Sequence, residues 1–204
     1  MTANRLCNLA VVLCSCLLVR ADAQLLSVYG TFSPVHASNV QTGSTYSSTT
    51  GYTPQYTGFW VPAFGGGVTL NFLNLHVVKL GLDVRGSTKP GTTGADTAEV
   101  ALRLGFQPPL LRLKPYVQGG VGYLATRTIN TSTNSTGTGQ VGGTFSNDYA
   151  TFGFHAGVDR PLIPFLDFRV VELGFAHAFD SGISTARSSS ANTFSISTGL
   201  VAHF

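Results

Sequence analysis

The chain has 204 residues, and charged residues make up only 10% of it, against about 25% in an ordinary soluble domain. Glycine is frequent, with 24 residues, and aromatic residues supply 11%. The aromatic content argues against a disordered chain, and a formal net charge of +3 without a basic cluster argues against a nucleic-acid-binding protein. The length fits one domain of about 100–200 residues. These values together indicate a β-rich protein that need not keep a charged surface against water.

The first 23 residues have the three parts of a secretory signal peptide. Arg5 gives a positive start, residues 9–19 form an apolar run, and Ala-Asp-Ala at 21–23 provides a cleavage site. The apolar run is shorter than the roughly 20 residues that a helix needs to span a bilayer. We predict a cleaved signal peptide at 1–23 and a mature domain at 24–204, with a buried N-terminal helix as the alternative.

All three cysteines, Cys7, Cys14 and Cys16, lie in this first segment. A mature chain that begins at Gln24 therefore has no cysteine. This excludes a disulfide-stabilised scaffold and a thiolate metal site from the mature domain.

Beyond the first segment, apolar residues alternate with small, polar or charged ones. Every second residue from Val78 to Val84 is apolar, and the residues between them are charged or glycine. Successive side chains of a strand point to opposite faces, so such a strand has one wholly apolar face. The pattern predicts eight strands, near residues 25–33, 66–72, 78–85, 99–106, 116–126, 150–159, 168–179 and 193–204.

The predicted connections alternate between long and short. Four are rich in Ser, Thr, Gly and Asn and are predicted to be polar loops, at 34–57, 86–96, 127–148 and 180–192. The other three are tighter, near 73–77, 107–114 and 160–166. Short periplasmic turns and long extracellular loops alternate in this way in a transmembrane barrel. We therefore expect four extracellular loops.

The two faces of the strands also favour a membrane barrel. Lipid offers no hydrogen bonds, so a sheet that spans it must close on itself and expose its apolar face. Glycine weakens a solvent-exposed strand, but inside a narrow barrel it leaves room for long charged side chains. The predicted fold is all-β, an eight-stranded antiparallel up-and-down transmembrane β-barrel. A secreted soluble barrel of the lipocalin kind is the alternative, since alternation alone does not tell inside from outside.

Three segments resemble a known family. Residues 114–123, Lys-Pro-Tyr-Val-Gln-Gly-Gly-Val-Gly-Tyr, and residues 152–159, Phe-Gly-Phe-His-Ala-Gly-Val-Asp, are similar to consecutive strands of OmpA-like outer-membrane β-barrels. The last strand, with Ile196 and Leu200 on one face and Phe204 at its end, resembles the C-terminal insertion signal of outer-membrane proteins. The resemblance extends over most of 24–204, without the peptidoglycan-binding domain of larger members.

The resemblance implies a location and partners. The protein is expected in the outer membrane of a Gram-negative-type bacterium, in contact with its lipids, including lipopolysaccharide. Periplasmic chaperones and the barrel-insertion machinery are the expected assembly partners, and the insertion machinery would read Ile196, Leu200 and Phe204. No nucleic acid partner is expected, and the protein is expected to be a monomer.

Seven charged residues share the predicted inner face: Lys79, Asp83, Arg85, Glu99, Arg103, Asp159 and Glu172. In a tube too narrow for bulk water these charges must pair, because an unpaired buried charge costs several kcal/mol. We expect a salt-bridge network that fills the barrel; a gate in a narrow ion path is the alternative.

The spacing of the third and fourth strands also predicts a pairing scheme. Residue numbers that sum to about 182–186 should lie opposite each other, which brings Glu99 level with Asp83 or Arg85. Across the lumen, the predicted network has Glu99, Asp159 and Glu172 neutralise Lys79, Arg85 and Arg103.

Catalytic and metal sites are not expected. The five histidines, His36, His76, His155, His177 and His203, do not converge on one place in the predicted barrel. His177 has the position of a possible acyl-transfer base, but Ser181, four residues on, would be about 13 Å away along an extended strand. We predict no catalytic residues, no metal and no cofactor.

The sequence therefore favours a structural or surface-interaction role, such as adhesion or ligand contact through the four loops. A narrow channel gated by the lumen salt bridges is one alternative. A lipid-modifying enzyme is the other.

Overall fold

The computed structural model describes residues 25–47, 51–75, 77–89, 94–108, 112–133, 140–180 and 190–204. The predicted signal peptide lies outside these residues and stays a prediction. Among the described residues, no helix has the length and apolar character needed to cross a membrane.

The regular elements of the described chain are eight strands. They are β1 (Leu26–Ser47), β2 (Gly51–Leu75), β3 (Val78–Thr88), β4 (Gly94–Phe106), β5 (Lys114–Thr133), β6 (Gln140–Ile163), β7 (Leu166–Asp180) and β8 (Ala191–His203). Each strand pairs with the next in antiparallel fashion, and β8 pairs with β1, so the sheet is a closed barrel. The predicted eight-stranded antiparallel barrel is confirmed.

The register fixes the stagger of the strands. A path across the paired residues starts at Leu26, runs through Leu70, Leu82, Leu102, Gly119, Phe154, Phe175 and Phe194, and returns to β1 at His36. It therefore returns ten residues further along the strand on which it began. Closure with such a stagger makes the strands tilt to the barrel axis, typically by about 35–45°.

The outside of the barrel is apolar and the inside is polar. Exposed side chains include Leu102 at 58%, Phe154 at 51% and Leu173 at 48%, while Asp83 and Arg169 are fully buried at 0%. This facing is the inverse of a soluble barrel, in which large apolar side chains fill the interior. It agrees with the alternation in the sequence and contradicts the soluble, lipocalin-like alternative.

Aromatic residues lie on the outer surface of the barrel near both of its ends. The ring of Trp60 on β2 lies 5.0 Å from that of His36 on β1 and 6.4 Å from that of Phe194 on β8. Outer-membrane barrels have such aromatic girdles at the membrane interfaces. Near the short-turn end, Phe106, Phe165 and Phe204 are also exposed.

The prediction of a polar loop is wrong for two of the four segments. The segments 34–57 and 127–148 lie largely in strands, because β1 and β2 continue as an antiparallel pair as far as Ser47 and Gly51, and β5 and β6 as far as Thr133 and Gln140. Pairing between the two strands satisfies the backbone hydrogen bonds of these polar segments, which composition alone does not reveal. The structure therefore carries two extended hairpins.

A β-bulge in β7 changes which residues point inwards. Val170 and Val171 are both exposed, and the pairing with β8 skips from Arg169 to Glu172. Strict alternation from Glu172 would send Arg169 outwards. The extra residue of the bulge instead brings Arg169 and Asp167 to the inner face, where both are buried.

Two glycines make room for tyrosine rings in the lumen. Tyr29 on β1 faces Gly67 on β2, and Tyr116 on β5 faces Gly157 on β6. A Cβ at either glycine would lie only 2.5 Å from the hydroxyl of its tyrosine. Each ring therefore lies across its glycine and reaches the middle of the barrel.

Candidate functional site

The centre of the lumen is built around the carboxylate of Glu172. Arg85 holds it with two hydrogen bonds, Nη1 to Oε1 at 2.8 Å and Nη2 to Oε2 at 3.2 Å. Arg169 donates from Nη1 to Oε2 at 3.2 Å, and the hydroxyl of Tyr116 donates to the same oxygen. Such a charge can stay in the dry interior because several donors share it.

Asp83 anchors the β1–β3 side of this network. Its carboxylate accepts hydrogen bonds from Arg85 Nε and the Tyr29 hydroxyl at 2.8 Å each, and from Thr69 Oγ1 at 2.6 Å. The guanidinium of Arg85 thus bridges Asp83 on its own strand and Glu172 on β7.

Asp159 anchors the opposite side. It accepts from Arg169 Nε at 3.1 Å and from Arg103 Nη2 at 2.7 Å. The guanidinium of Arg103 lies 3.6 Å from the centre of the Tyr116 ring, and that of Arg169 lies 4.4 Å from the Tyr29 ring. Cation–π contact over these rings adds to the ionic attraction.

The network joins strands from opposite walls of the barrel. Residues of β1 to β7 take part, and the side chains meet across the middle of the tube. Removing one partner of a buried ion pair typically costs about 3–5 kcal/mol, because it leaves the other charge uncompensated. The arrangement therefore braces the wall and closes the lumen at this level.

A cavity lies on the extended-hairpin side of the network. Its volume is about 80 Å³, and its floor includes Arg85, Glu172, Glu99 and His155. His155 Nε2 lies 3.0 Å from Glu99 Oε2. Beyond the cavity, a buried apolar cluster spans β4 to β8, formed by Ala95, Leu124, Tyr149, Ala178 and Ala191.

A second polar cluster lies at the short-turn end of the lumen. Asp167 Oδ2 is 2.7 Å from Lys114 Nζ and 2.8 Å from His203 Nε2, and His203 Nδ1 is 2.8 Å from Ser27 Oγ. These contacts link β5, β7, β8 and β1, so they tie the first strand to the last. The cluster borders a pocket of about 40 Å³ that Lys79 also lines.

The architecture has counterparts among solved structures. The crystal structure of Neisserial surface protein A (NspA) superposes with a TM-score of 0.50 at 13% identity, over 89% of this chain and 99% of that one. The chain has the fold of an OmpA-like outer-membrane β-barrel. No protein-family model and no curated protein sequence matches it.

Other solved outer-membrane barrels resemble this one less closely. The N-terminal barrel domain of Pseudomonas aeruginosa OprF has a TM-score of 0.42 at 13% identity, over 88% of this chain and 99% of that chain. Ail, the attachment invasion locus protein of Yersinia pestis, has a TM-score of 0.43 at 10% identity, over 86% of this chain and 97% of that chain.

The barrel brings five of the seven charges predicted from the sequence into the central network: Asp83, Arg85, Arg103, Asp159 and Glu172. The register places Arg85 opposite Glu99, but the expected ion pair between them is replaced. Arg85 turns to Asp83 and Glu172, and Glu99 contacts His155. Lys79 lies lower, in the wall of the short-turn pocket.

Sequence reasoning missed Arg169, the most deeply buried cation of the network. Its signal is the pair Val170-Val171, two consecutive apolar residues that break the alternation and mark the bulge. It also missed the cluster of Lys114, Asp167 and His203, whose members lie on three strands that only the closed barrel brings together.

The residues of the predicted insertion signal lie on the outer face of β8 and at its end. Ile196, Leu200 and Phe204 are exposed at 42%, 50% and 68%. The backbone of Phe204 is bound to β1, with its N–H 2.8 Å from the carbonyl oxygen of Leu26. Recognition of these residues by an insertion machinery stays a prediction.

The acyl-transfer candidate remains incomplete in the described part of the chain. His177 Nδ1 lies 2.8 Å from Asn192 Oδ1, and Ser181 lies outside the described residues. Among the residues that the structure describes, no group of three or more His, Cys, Asp or Glu side chains is arranged to hold a metal ion.

Proposed function

We propose that the protein is an integral outer-membrane protein of a Gram-negative-type bacterium, exported through its cleaved signal peptide, whose closed barrel presents two extended hairpins for surface interaction. The observation that carries the proposal is the difference in strand length. The strands β1, β2, β5 and β6 have 22, 25, 20 and 24 residues, and the other four have 11 to 15.

These lengths exceed what the membrane needs. A spanning strand uses about 9–11 residues, so each long strand has about ten to spare, or about 30 Å. Two strands separate the β1–β2 hairpin from the β5–β6 hairpin on either side of the barrel. Two projecting walls on opposite sides of a rigid cylinder would suit contact with a molecule at the cell surface.

The composition of the hairpins indicates the kind of partner. Residues 38–57 and 128–147 contain no Asp, Glu, Lys or Arg and are rich in Ser, Thr, Asn and Gly, with tyrosines in the first. Hydroxyl, amide and tyrosine side chains provide adaptable hydrogen bonds and contact area. We infer an uncharged, hydroxyl-rich partner such as a neutral glycan rather than a polyanion.

The test shortens each hairpin while keeping the barrel. In one variant Asn-Gly, which favours a tight hairpin turn, replaces residues 41–56, and in another it replaces residues 130–143. The control replaces residues 89–93 between β3 and β4 in the same way. Cells that carry each variant are compared for adhesion to immobilised neutral and sulfated glycans, and for uptake of a dye that the intact outer membrane excludes.

We expect cells with the intact protein and the control to adhere to neutral glycans, and cells with a shortened hairpin to lose adhesion without a change in dye uptake. Unchanged adhesion after both hairpins are shortened would contradict the proposal. Increased dye uptake without loss of adhesion would instead indicate a role in membrane integrity.

A narrow channel is the second candidate, and one observation favours it. The cavity above the central network and the pocket below it are separated only by side chains. Ion passage would require Arg85, Arg103 and Arg169 to exchange carboxylate partners. Conductance measurements, described below, decide between a closed barrel and a gated one.

A further inference from the structure

We propose that the lumen cavity above the central network is a binding site for a small monovalent cation, with the carboxylate of Glu99 as its main ligand. This site goes beyond the surface role of the hairpins and does not depend on it. Four observations carry the proposal: an unpartnered carboxylate oxygen, a surplus of negative charge, a niche that glycines keep open, and a lining rich in hydroxyl groups.

The first observation is the state of Glu99. Its side chain is 10% exposed. Oε2 contacts His155, but the buried Oε1 has no hydrogen-bond partner. A buried carboxylate oxygen without a partner is costly, and such atoms are rare in folded proteins. A ligand that supplies positive charge at Oε1 would remove this cost.

The second observation is the local charge. His155 Nδ1 lies 3.5 Å from Nη1 of Arg85. The same nitrogen of His155 lies 4.0 Å from Glu172 Oε1. A guanidinium only donates, so in the tautomer in which Nδ1 accepts from Arg85 the ring proton sits on Nε2 and points at Glu99. In that tautomer, His155 donates to Glu99 without neutralising it.

The remaining charges of the network do not compensate Glu99. The ion pairs of the three arginines Arg85, Arg103 and Arg169 are formed with the three carboxylates of Asp83, Asp159 and Glu172. Three cations therefore match three carboxylates, and Glu99 is the fourth. One surplus negative charge faces the cavity, which suits a guest of charge +1.

The third observation is the space around the carboxylate. A Cβ at Gly153 would lie 2.7 Å from Glu99 Oε2, and one at Gly174 would lie 2.5 Å from His155 Nδ1. On the same level, Gly122 separates Glu99 on β4 from Thr151 on β6. The glycines thus form a niche into which Glu99 extends over β5 and reaches β6.

The fourth observation is the chemistry of the walls. Hydroxyl groups of Ser87, Thr97, Thr151 and Ser195 line the cavity together with Glu99. Ser87 and Thr97 are hydrogen-bonded to each other at 2.7 Å, and each hydroxyl oxygen retains acceptor capacity. Oxygen ligands suit hard cations, but Ca²⁺ sites use six to eight of them, including several carboxylates. One free carboxylate oxygen, in a cavity that Arg85 also lines, therefore favours Na⁺ over a divalent ion.

The test measures cation-specific stabilisation of the full-length protein folded in detergent. The thermal transition is followed by heat-modifiable gel migration in NaCl and in N-methyl-D-glucamine chloride at equal ionic strength, since that organic cation is too large for the cavity. Stabilisation by a bound ligand saturates with its concentration. At about five times the dissociation constant, we expect Na⁺ to raise the midpoint by about 2–4 °C.

Two variants locate the effect. Glu99→Gln keeps the shape of the side chain but removes the charge, and we expect it to abolish the difference between the two salts. Thr151→Val, which removes one hydroxyl of the wall, should reduce it. Asp96→Asn, a carboxylate on the same strand that is paired with Arg127 at the rim, is the matched control and should retain the full difference.

The outcomes distinguish the cation site from a cavity that holds only water and from a cation site elsewhere in the protein. Equal midpoints in the two salts for the wild-type protein would mean that the cavity holds water only, and would overturn the proposal. A sodium effect that persists in Glu99→Gln would place the site elsewhere and would also overturn it. If Glu99→Gln fails to fold, a reduced effect in Thr151→Val with the full effect in Asp96→Asn decides in favour of the site, and an unchanged effect in Thr151→Val overturns it.

Discussion

At the scale of single residues, Arg169 is the most deeply buried cation of the lumen network. It is fully buried and holds Asp159 and Glu172, whereas Arg127 forms its ion pair with Asp96 at the exposed rim. A buried ion pair that loses one partner strands the other charge, but an exposed pair contributes little. The two arginines therefore provide a matched comparison.

We predict that Arg169→Met lowers the free energy of unfolding by about 3–5 kcal/mol, and that Arg127→Met lowers it by less than about 1 kcal/mol. Urea titration of the folded protein in lipid vesicles, read from the heat-modifiable band, measures both values. Similar costs for the two variants would show that the central ion pairs do not brace the barrel.

The facing of a single leucine tests the membrane surface. Leu102 is 58% exposed on the outer face of β4, next to the buried Ala101. An arginine on the lipid face of a barrel costs about 2–4 kcal/mol at the middle of the bilayer. We predict that Leu102→Arg reduces the amount of folded barrel in the membrane far more than Ala101→Ser, as measured by band shift after fractionation. The reverse order would mean that the assigned faces are exchanged.

At the scale of strands, alternation predicted six of the inner-face charges that the structure places in or beside the central network, but it could not locate Arg169. Alternation predicts which face a side chain occupies only while the strand stays in register with its neighbours. The bulge at Val170 adds one residue and changes the facing of everything below it. Only the consecutive valines signal this, and two adjacent apolar residues also occur where no bulge exists.

The extended hairpins show a second limit, which concerns the prediction of strands from local composition. Segments rich in Ser, Thr and Gly are typical of loops, yet residues 40–47 and 51–57 pair with each other along β1 and β2. Their stability as strands depends on a partner strand of matching length, which local composition does not encode. The partner of Glu99 was missed for a related reason: register placed Arg85 opposite, but side-chain direction led Arg85 to Glu172.

The bulge itself is testable by deletion. Removing Val170 leaves Arg169 and Glu172 two positions apart, which matches the two-residue spacing of their partners Gly199 and Ser197 on β8. We predict that this deletion folds nearly as well as the wild type, whereas deletion of Leu173, at a regular position, shifts the register and abolishes folding. The fraction of protein in the compact gel band measures both. Equal failure of the two deletions would contradict the assigned bulge.

The last strand carries the expected insertion signal. The side chain of Phe204 is exposed and takes no part in the lumen network. Its loss should therefore affect recognition by the insertion machinery more than the stability of the barrel. We predict that deletion of Phe204 lowers the amount of assembled protein in the outer membrane several-fold, while the purified variant still refolds in detergent. Equal assembly in cells with and without Phe204 would count against the signal.

At the scale of the whole molecule, the central network fills the middle of the barrel. The ion pairs of Glu172 and Asp159 cross the middle of the lumen, and an apolar cluster around Leu124 and Tyr149 lies beyond the cavity. Ion pairs at this level oppose the passage of ions through the tube. In the proposed function, the two extended hairpins are the parts that contact other molecules.

Single-channel recording of the full-length protein in planar lipid bilayers tests this central claim most directly. Because the salt bridges of Arg85, Arg103 and Arg169 must all change partners before ions can pass, we predict that the wild-type protein shows no discrete conductance steps in symmetrical salt. Stable, ohmic steps that recur with each insertion of wild-type protein would contradict a closed barrel and would assign the molecule to the channels.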